Sequence, residues 1–249
     1  MNVYGLAGGA RKADMIILSN YPGQSPKPVA HMAATVGRHP QLCLIGLLLL
    51  QLCVFVHYAQ AKTWLFIDEM WTFNLANNYF DPMIFAMRSQ AHLNVWLDSA
   101  FWQQILCVQP EHAFAYPSVW YNAAADNHPP LYYAIIHTVC SLFPRQLSVW
   151  LGVVPNFIFF MGTQALLFLS ARRLTGSQGL ALVAVLLYGF SWGAVETATF
   201  IRMYMMLSFS VMLVFFLHLR LWERLCAGEP VRGSFAALCL AVAFGFLTQ

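Results

Sequence analysis

Long apolar runs follow one another along this chain and leave few folds open to it. The first run, about 42–59, contains four consecutive leucines at 47–50. A helix that crosses a bilayer needs about 20 apolar residues, whereas a soluble domain carries about 25% charged residues. Here 59% of the 249 residues are hydrophobic, 9% are charged and the mean hydropathy is +0.60. The sequence therefore predicts an all-α, polytopic integral membrane protein.

Five apolar runs predict membrane helices, and a C-terminal stretch from 235 would add a sixth. The five cover about 42–59, 130–143, 149–170, 180–192 and 203–222. The run 130–143 is short, so it tilts, is extended by its flanks or fails to cross. If it crosses, Arg202 lies inside and Arg172–Arg173 outside; if it does not, these positions are reversed. The positive-inside rule favours the second arrangement, but the sequence leaves both open.

The first forty residues are predicted to be a disordered cytoplasmic segment. They are polar, with Pro, Gly and Ser concentrated between Tyr21 and Pro28, and four basic residues precede the first run. Residues 41–249 form the predicted transmembrane domain. The apolar stretch that ends at Gln249 leads us to expect a chain truncated at its C-terminus. The scattered net charge of +3 argues against a nucleic-acid partner.

The segment 61–128 is predicted to be an external loop. It holds six of the ten acidic residues and five of the eight tryptophans, against two basic residues. Apolar residues recur at helical spacing from Met83 to Phe101, which predicts amphipathic helices lying along the membrane surface. An ordinary aromatic loop at that surface is the alternative.

Asp68 and Glu69 stand together soon after the first run, in a chain that uses few charges. One carboxylate could take a proton from an acceptor hydroxyl, while the other holds the acceptor or a cation. A solvated charge pair at a helix end is the alternative interpretation.

A turn with the sequence DNHPPLYY runs from Asp126 to Tyr133. Its prolines suit a helix start, Asp126 suits a helix N-terminal acid, and Tyr132 suits the aromatic belt of a membrane interface. The functional interpretation is a rigid turn that aims Asp126 and His128 into an external cavity.

Arg202 and Tyr204 stand where the run 203–222 begins. An arginine at a membrane edge often extends to the headgroups, and its guanidinium also suits a phosphate. Pairing with Glu196, six residues earlier, is a third possibility.

Taken in order, these motifs resemble the membrane glycosyltransferases of the GT-C class, and most closely the bacterial family-39-like group. That group is related to protein O-mannosyltransferases and to aminoarabinose and lipopolysaccharide-core sugar transferases. The resemblance covers about Phe66 to Met206, with good matches at the Asp-Glu pair and the His-Pro-Pro turn and a looser one at Arg-x-Tyr. It implies a GT-C-like helix bundle of the cell envelope, in the bacterial plasma membrane.

The resemblance also implies an activity, namely inverting transfer of a sugar from a polyprenyl-phosphate-linked donor to a glycan, lipid or protein acceptor at the external face. Asp68 matches the general base and Glu69 its partner. The candidate contacts with the substrates are Asp126, His128, Tyr132, Tyr133, Arg202 and Tyr204. Arg202 would contact the donor phosphate if it faces outside. A divalent metal is a possible cofactor, because external cations are few, although no ligand cluster in the sequence proves one.

Two other classes of protein are compatible with this composition. A transporter places ionisable residues in the middle of its spans, and here those are few, chiefly His137 and His218. A catalytically silent membrane scaffold would need no acid pair. The clustering of acids in one loop favours the enzyme.

Overall fold

A computed structural model describes residues 39–83 and 94–249 of the chain. Over these residues the regular structure is α-helix, apart from one 3-10 turn at Pro110–His112, and no strand is present. The predicted N-terminal segment lies almost entirely outside the described residues. So do residues 84–93, the middle of the predicted surface helices. Residues 94–98 also belong to the predicted surface helices, but they are not helical. The next helix begins only at Ser99 and is capped by Asp98.

The helices are numbered in chain order. They are α1 (Pro40–Ala61), α2 (Ile67–Asn77), α3 (Ser99–Leu106), α4 (Tyr116–Ala125), α5 (Leu131–Ser141), α6 (Val149–Thr175), α7 (Gln178–Gly189), α8 (Trp192–Thr199), α9 (Tyr204–Cys226) and α10 (Arg232–Phe246).

Three helices, α1, α6 and α9, are long and apolar enough to cross a membrane. Helices α7 and α8 meet at a 60° bend and count as a fourth span if they are taken as one. The expectation of five or six spans is therefore too high, because α5 and α10 are short. At 1.5 Å per residue, α5 is about 16 Å long, roughly half of a bilayer core. The chain is thus an all-helical protein with three or four candidate spans, as expected of a multi-pass membrane protein.

The candidate spans alternate in direction. Lys62, just after α1, donates a hydrogen bond to the carbonyl oxygen of Thr199 at the end of α8 (3.2 Å), so these two helices finish at one end of the bundle, called here the upper end. Arg173 and Glu223 form an ion pair that joins the last turns of α6 and α9 at the opposite, lower end. Leu44, near the start of α1, packs in the same cluster as Phe168 of α6, which fixes α1 antiparallel to α6.

Helix α5 lies in a layer at the upper end with α2 and α4. Its Tyr132 hydroxyl donates to Asn156, in the second turn of α6, and Ser141 at its other end accepts a hydrogen bond from the backbone N–H of Phe114. Since α1 ends and α6 begins at the upper end, the run 130–143 does not cross. Arg202 therefore lies at the same end as Asp68, which is the arrangement that the positive-inside rule favours.

The bend between α7 and α8 follows from a glycine and a buried amide pair. Gln51 of α1 donates to the carbonyl oxygen of Val185 (3.0 Å), and Gln164 of α6 donates to Gln51 (2.8 Å). Both glutamines are fully buried, and a Cβ at Gly189 would collide with both. Ser191 then caps α8 by accepting a hydrogen bond from the backbone N–H of Ala194, which starts the helix in its new direction.

Candidate active site

Glu69 is a buried anchor and not a solvated charge. Its side chain is fully buried in the first turn of α2, where one oxygen accepts a hydrogen bond from the backbone N–H of Phe66 at 2.9 Å. The other accepts from the backbone N–H of Ile201 at 2.8 Å and pairs with the Lys62 ammonium. Glu69 therefore fixes the start of α2 against the linker between α8 and α9, and the solvated-pair interpretation is wrong for this residue.

Asp68, one position earlier, is in the opposite environment. Its side chain is exposed, and its carboxylate has no hydrogen bond or ion pair within the described part of the chain. Its backbone oxygen accepts a hydrogen bond from Arg202 Nη1 at 3.4 Å. The two adjacent acids thus differ in what they can do, because Asp68 alone has a carboxylate open to a substrate.

Arg202 is buried with most of its hydrogen-bonding capacity unused. The side chain is 7% exposed, and its bond to Asp68 is the one hydrogen bond it makes to the residues described. Nε is buried with no partner. Glu196 is exposed and does not pair with it, which removes that possibility. Because a guanidinium has five donors and buried donors are seldom left unpaired, Arg202 is equipped to bind an anion.

Tyr132 and Tyr133, in the first turn of α5, are both fully buried. The Tyr132 hydroxyl donates to Asn156 (3.1 Å), whose amide donates to the carbonyl oxygen of Phe200 (2.7 Å), so this tyrosine holds the linker in place. The Tyr133 hydroxyl has no partner among the described residues. Burial raises the pKa of Tyr133 to about 12, an effect that the positive charge of Arg202 partly opposes. Its hydroxyl therefore keeps its proton and can donate to a ligand.

Four of the predicted site residues act electrostatically on the phenol of Tyr133. Arg202 lowers its pKa, while Asp126, Tyr204 and Asp68 raise it. The structure thus brings together side chains that the sequence spreads over 137 positions (68 to 204).

Asp126 and His128 contact each other beside Tyr133. Asn127 has a φ of 56°, and this left-handed turn folds the His128 ring back until its Nδ1 is hydrogen-bonded to the Asp126 backbone carbonyl oxygen at 2.9 Å. The same Nδ1 also lies 2.9 Å from the Asp126 side-chain oxygen Oδ2. The indole N–H of Trp71 donates to the same oxygen at 2.8 Å. Asp126 was expected to be an acid at the start of a helix, but it lies at the C-terminal end of α4. There the helix dipole disfavours a carboxylate, and the hydrogen bond from Trp71 compensates in part.

Tyr204 is the first residue of α9, and it is half-exposed. Its ring stacks against Phe200 with centroids 6.2 Å apart, and Phe200 meets Phe66 edge to face. The Lys62 ammonium lies over the rings of Phe66 and Phe200 at 5.7 Å and 5.8 Å. Tyr204 thus belongs to an aromatic border of the site.

Three residues that support the site were not predicted: Lys62, Trp71 and Asn156. The sequence could have identified Lys62, because it is one of two basic residues in an acidic segment. It could also have identified Asn156, a polar side chain next to Pro155 within an apolar run. Among the described residues, no group of three His, Cys, Asp or Glu side chains could hold a metal ion.

An apolar cavity of about 330 Å³ lies below the site, between α6, α7 and α9. It is lined by Thr163, Leu167, Tyr188, Leu207, Ser208, Val211 and Met212. Ser208 follows Tyr204 by four residues, about 6 Å along α9. Val211 is more than half exposed, so the cavity opens on the side of the bundle.

Comparison with protein-family models, curated proteins and solved structures found no match to this chain. The roles of the site residues therefore stay predictions.

Proposed function

We propose that this protein is a glycosyltransferase that moves a sugar from a polyprenyl-phosphate-linked donor to an acceptor hydroxyl, with inversion, at the upper end of its helix bundle. The observation that carries the proposal is the open carboxylate of Asp68 next to the buried, largely unpaired guanidinium of Arg202. An inverting transfer needs both groups, one to receive a proton and one to stabilise an anionic leaving group.

In the proposed reaction, Asp68 accepts the proton of the acceptor hydroxyl as its oxygen attacks the anomeric carbon. The bond between that carbon and the phosphate oxygen breaks, and its electron pair leaves with the polyprenyl phosphate. The positive charge of Arg202 stabilises this leaving phosphate, and the Tyr133 hydroxyl donates a hydrogen bond to it. Glu69 acts through its contacts, because it positions the linker that carries Arg202.

The cavity between α6, α7 and α9 fits the lipid part of such a donor. A polyprenyl chain stays in the bilayer, so its binding groove has to be apolar and open to the side. The cavity meets both conditions, and it begins about one helical turn from Tyr204. It would accommodate the isoprene units nearest the phosphate.

A transporter is the second candidate, and one observation favours it. The 60° bend between α7 and α8 carries a buried amide cluster of Gln51 and Gln164, and broken helices with polar groups are common at the binding sites of transporters. However, that cluster is uncharged, and the open carboxylate lies at the end of the bundle. The glycosyltransferase explains both Asp68 and Arg202.

The test is transfer activity of the whole protein in membranes, supplied with radiolabelled undecaprenyl-phosphate hexoses and pentoses. Asp68→Asn is expected to lose about 10²–10⁴-fold of the activity, the usual contribution of a general base. Asp81→Asn is the matched control, because it makes the same change at another exposed acid of the loop. Asp68→Asn activity equal to that of Asp81→Asn would refute the assigned base. Uptake of a solute without any transfer product would favour the transporter.

A further inference from the structure

A cavity lined by arginines lies at the lower end of the bundle and has no role in the proposed reaction. It has a volume of about 210 Å³ and lies between the last turns of α9 and the first turns of α10. Arg220 and Arg224 line it from α9, and Gly233 and Ser234 from α10. Two arginines and a serine are therefore among the residues that line this small space.

Positive charge is in excess around this cavity. Five arginines lie near this end of the bundle, at 172, 173, 220, 224 and 232, against two acids, Glu223 and Glu229. Glu223 pairs with Arg173 and Glu229 with Arg224. Arg220 has no ion pair within the described part of the chain. Because Arg220 and Arg224 are four residues apart on one helix face, their charges repel each other, and Glu229 offsets only that of Arg224 through an ion pair.

The start of α10 adds further donors to the same cavity. No side chain caps this helix, and its first turn contains no acidic residue, so its first backbone N–H groups lack the usual acceptors. A Cβ at Gly233 would meet nothing within 4 Å, so the backbone is open there. The Ser234 hydroxyl accepts a hydrogen bond from Arg224 at 3.0 Å, which leaves its own proton free to be donated.

We infer that this cavity binds the phosphate group of an anionic membrane phospholipid. Arginine forks, a hydroxyl and free N–H groups at a helix start are the donors that recognise phosphate. Leu217 and Ala237 complete the lining of the cavity, and Trp222, Leu225 and Phe235 are exposed apolar side chains in the same turns of α9 and α10. They would contact acyl chains, which points to a lipid rather than a free anion. Basic pockets at the ends of membrane helices bind lipid headgroups in this way.

The experiment uses the whole protein in a neutral detergent, titrated with phosphatidylglycerol or with phosphatidylcholine of the same acyl chains. Native mass spectrometry counts bound lipid, and thermal unfolding reports stabilisation. We expect phosphatidylglycerol to bind in preference to phosphatidylcholine. Arg220→Gln is expected to weaken that binding by about fivefold, the usual contribution of one arginine near a headgroup. Gly233→Asp, which puts a carboxylate in the open space, is expected to weaken it at least as much.

Arg172→Gln is the control, because it removes an arginine of the same end that does not line the cavity. Equal loss of binding in Arg172→Gln and Arg220→Gln would overturn the site, since it would indicate attraction to the whole basic end. Equal binding of the two lipids would overturn it as well. Stabilisation by inorganic phosphate equal to that by phosphatidylglycerol would overturn the lipid as occupant. Binding at this end is independent of the chemistry at the upper end, so either proposal can fail alone.

Discussion

Replacing Glu69 by Gln removes a negative charge from a fully buried carboxylate, both oxygens of which accept hydrogen bonds. The Glu69 carboxylate accepts hydrogen bonds from the Phe66 and Ile201 backbone N–H groups and pairs with Lys62. A glutamine side chain of the same size has one oxygen and one NH₂ group. Whichever way the amide turns, at least one of these donors faces another donor. We therefore expect Glu69→Gln to destabilise the upper end.

The size of the effect follows from the burial of the ion pair. Breaking a buried ion pair by removing one partner costs about 3–5 kcal/mol. The Lys62 side chain keeps 13% of its exposure, so water reaches part of the remaining ammonium, and we expect the lower value of about 3 kcal/mol. For a domain of this size that corresponds to a fall in Tm of about 6–12 °C.

Thermal unfolding of the purified protein in detergent measures this change. Asp68→Asn is the matched comparison, because it makes the same chemical change one residue away, at a carboxylate that has no partner in residues 39–83 and 94–249. Its effect is expected to stay within about 0.5 kcal/mol. Adding Lys62→Met to Glu69→Gln should recover about 1 kcal/mol or more, since the unpaired ammonium is then gone. If Glu69→Gln unfolds at the same temperature as Asp68→Asn, Glu69 is not the anchor described here.

Three further predictions concern single residues. Tyr133→Phe removes a buried hydroxyl that has no partner among the described residues, so the free energy of unfolding should hold or rise by about 1 kcal/mol while transfer activity falls. Lower stability with full activity would contradict the assigned role. Gly189→Ala forces a methyl group into Gln51 and Gln164 and should lower the free energy of unfolding by about 1–3 kcal/mol, measured by thermal unfolding. Gly46→Ala is the control and should leave the free energy of unfolding unchanged, because a Cβ there meets nothing within 4 Å. Burial lowers the pKa of His137 from 6.5, so below about pH 6.5 the unfolded chain binds a proton that the folded chain does not. The free energy of unfolding should then fall as the pH falls, and a Tm series from pH 7.5 to 5 should show a smaller fall for His137→Gln.

Asp68 and Glu69 show what can and what cannot be predicted from the sequence of this protein. Asp68 and Glu69 can be selected from the sequence, because two adjacent acids stand out in a chain with few charges. Their separate roles could not be predicted. Glu69 is buried only because Ile201 and Lys62 converge on it from positions that are 132 and 7 residues away. Such convergence leaves no local signature.

Arg202 illustrates the same limit for topology. Its side of the bundle depended on whether the run 130–143 crosses, and apolar content alone could not decide this. The structure decides it through the length of α5 and its contacts with α6. The positive-inside rule favours the same grouping of Arg202 with Asp68, because it counts charges over whole loops and so depends little on one doubtful span.

By itself the sequence determined that the chain is helical and apolar and which residues carry its scarce charges, because bilayer solvation acts on composition and on run length. The tertiary structure decided which runs are long enough to cross and that Glu69 is ion-paired while Asp68 stays open. It also decided that Arg202 Nε and the Tyr133 hydroxyl are buried without a hydrogen-bond partner among the described residues. It also placed two arginines around a cavity at the lower end. Each of these depends on contacts between residues far apart in the chain, and the free energy of such contacts exists only once the helices have packed.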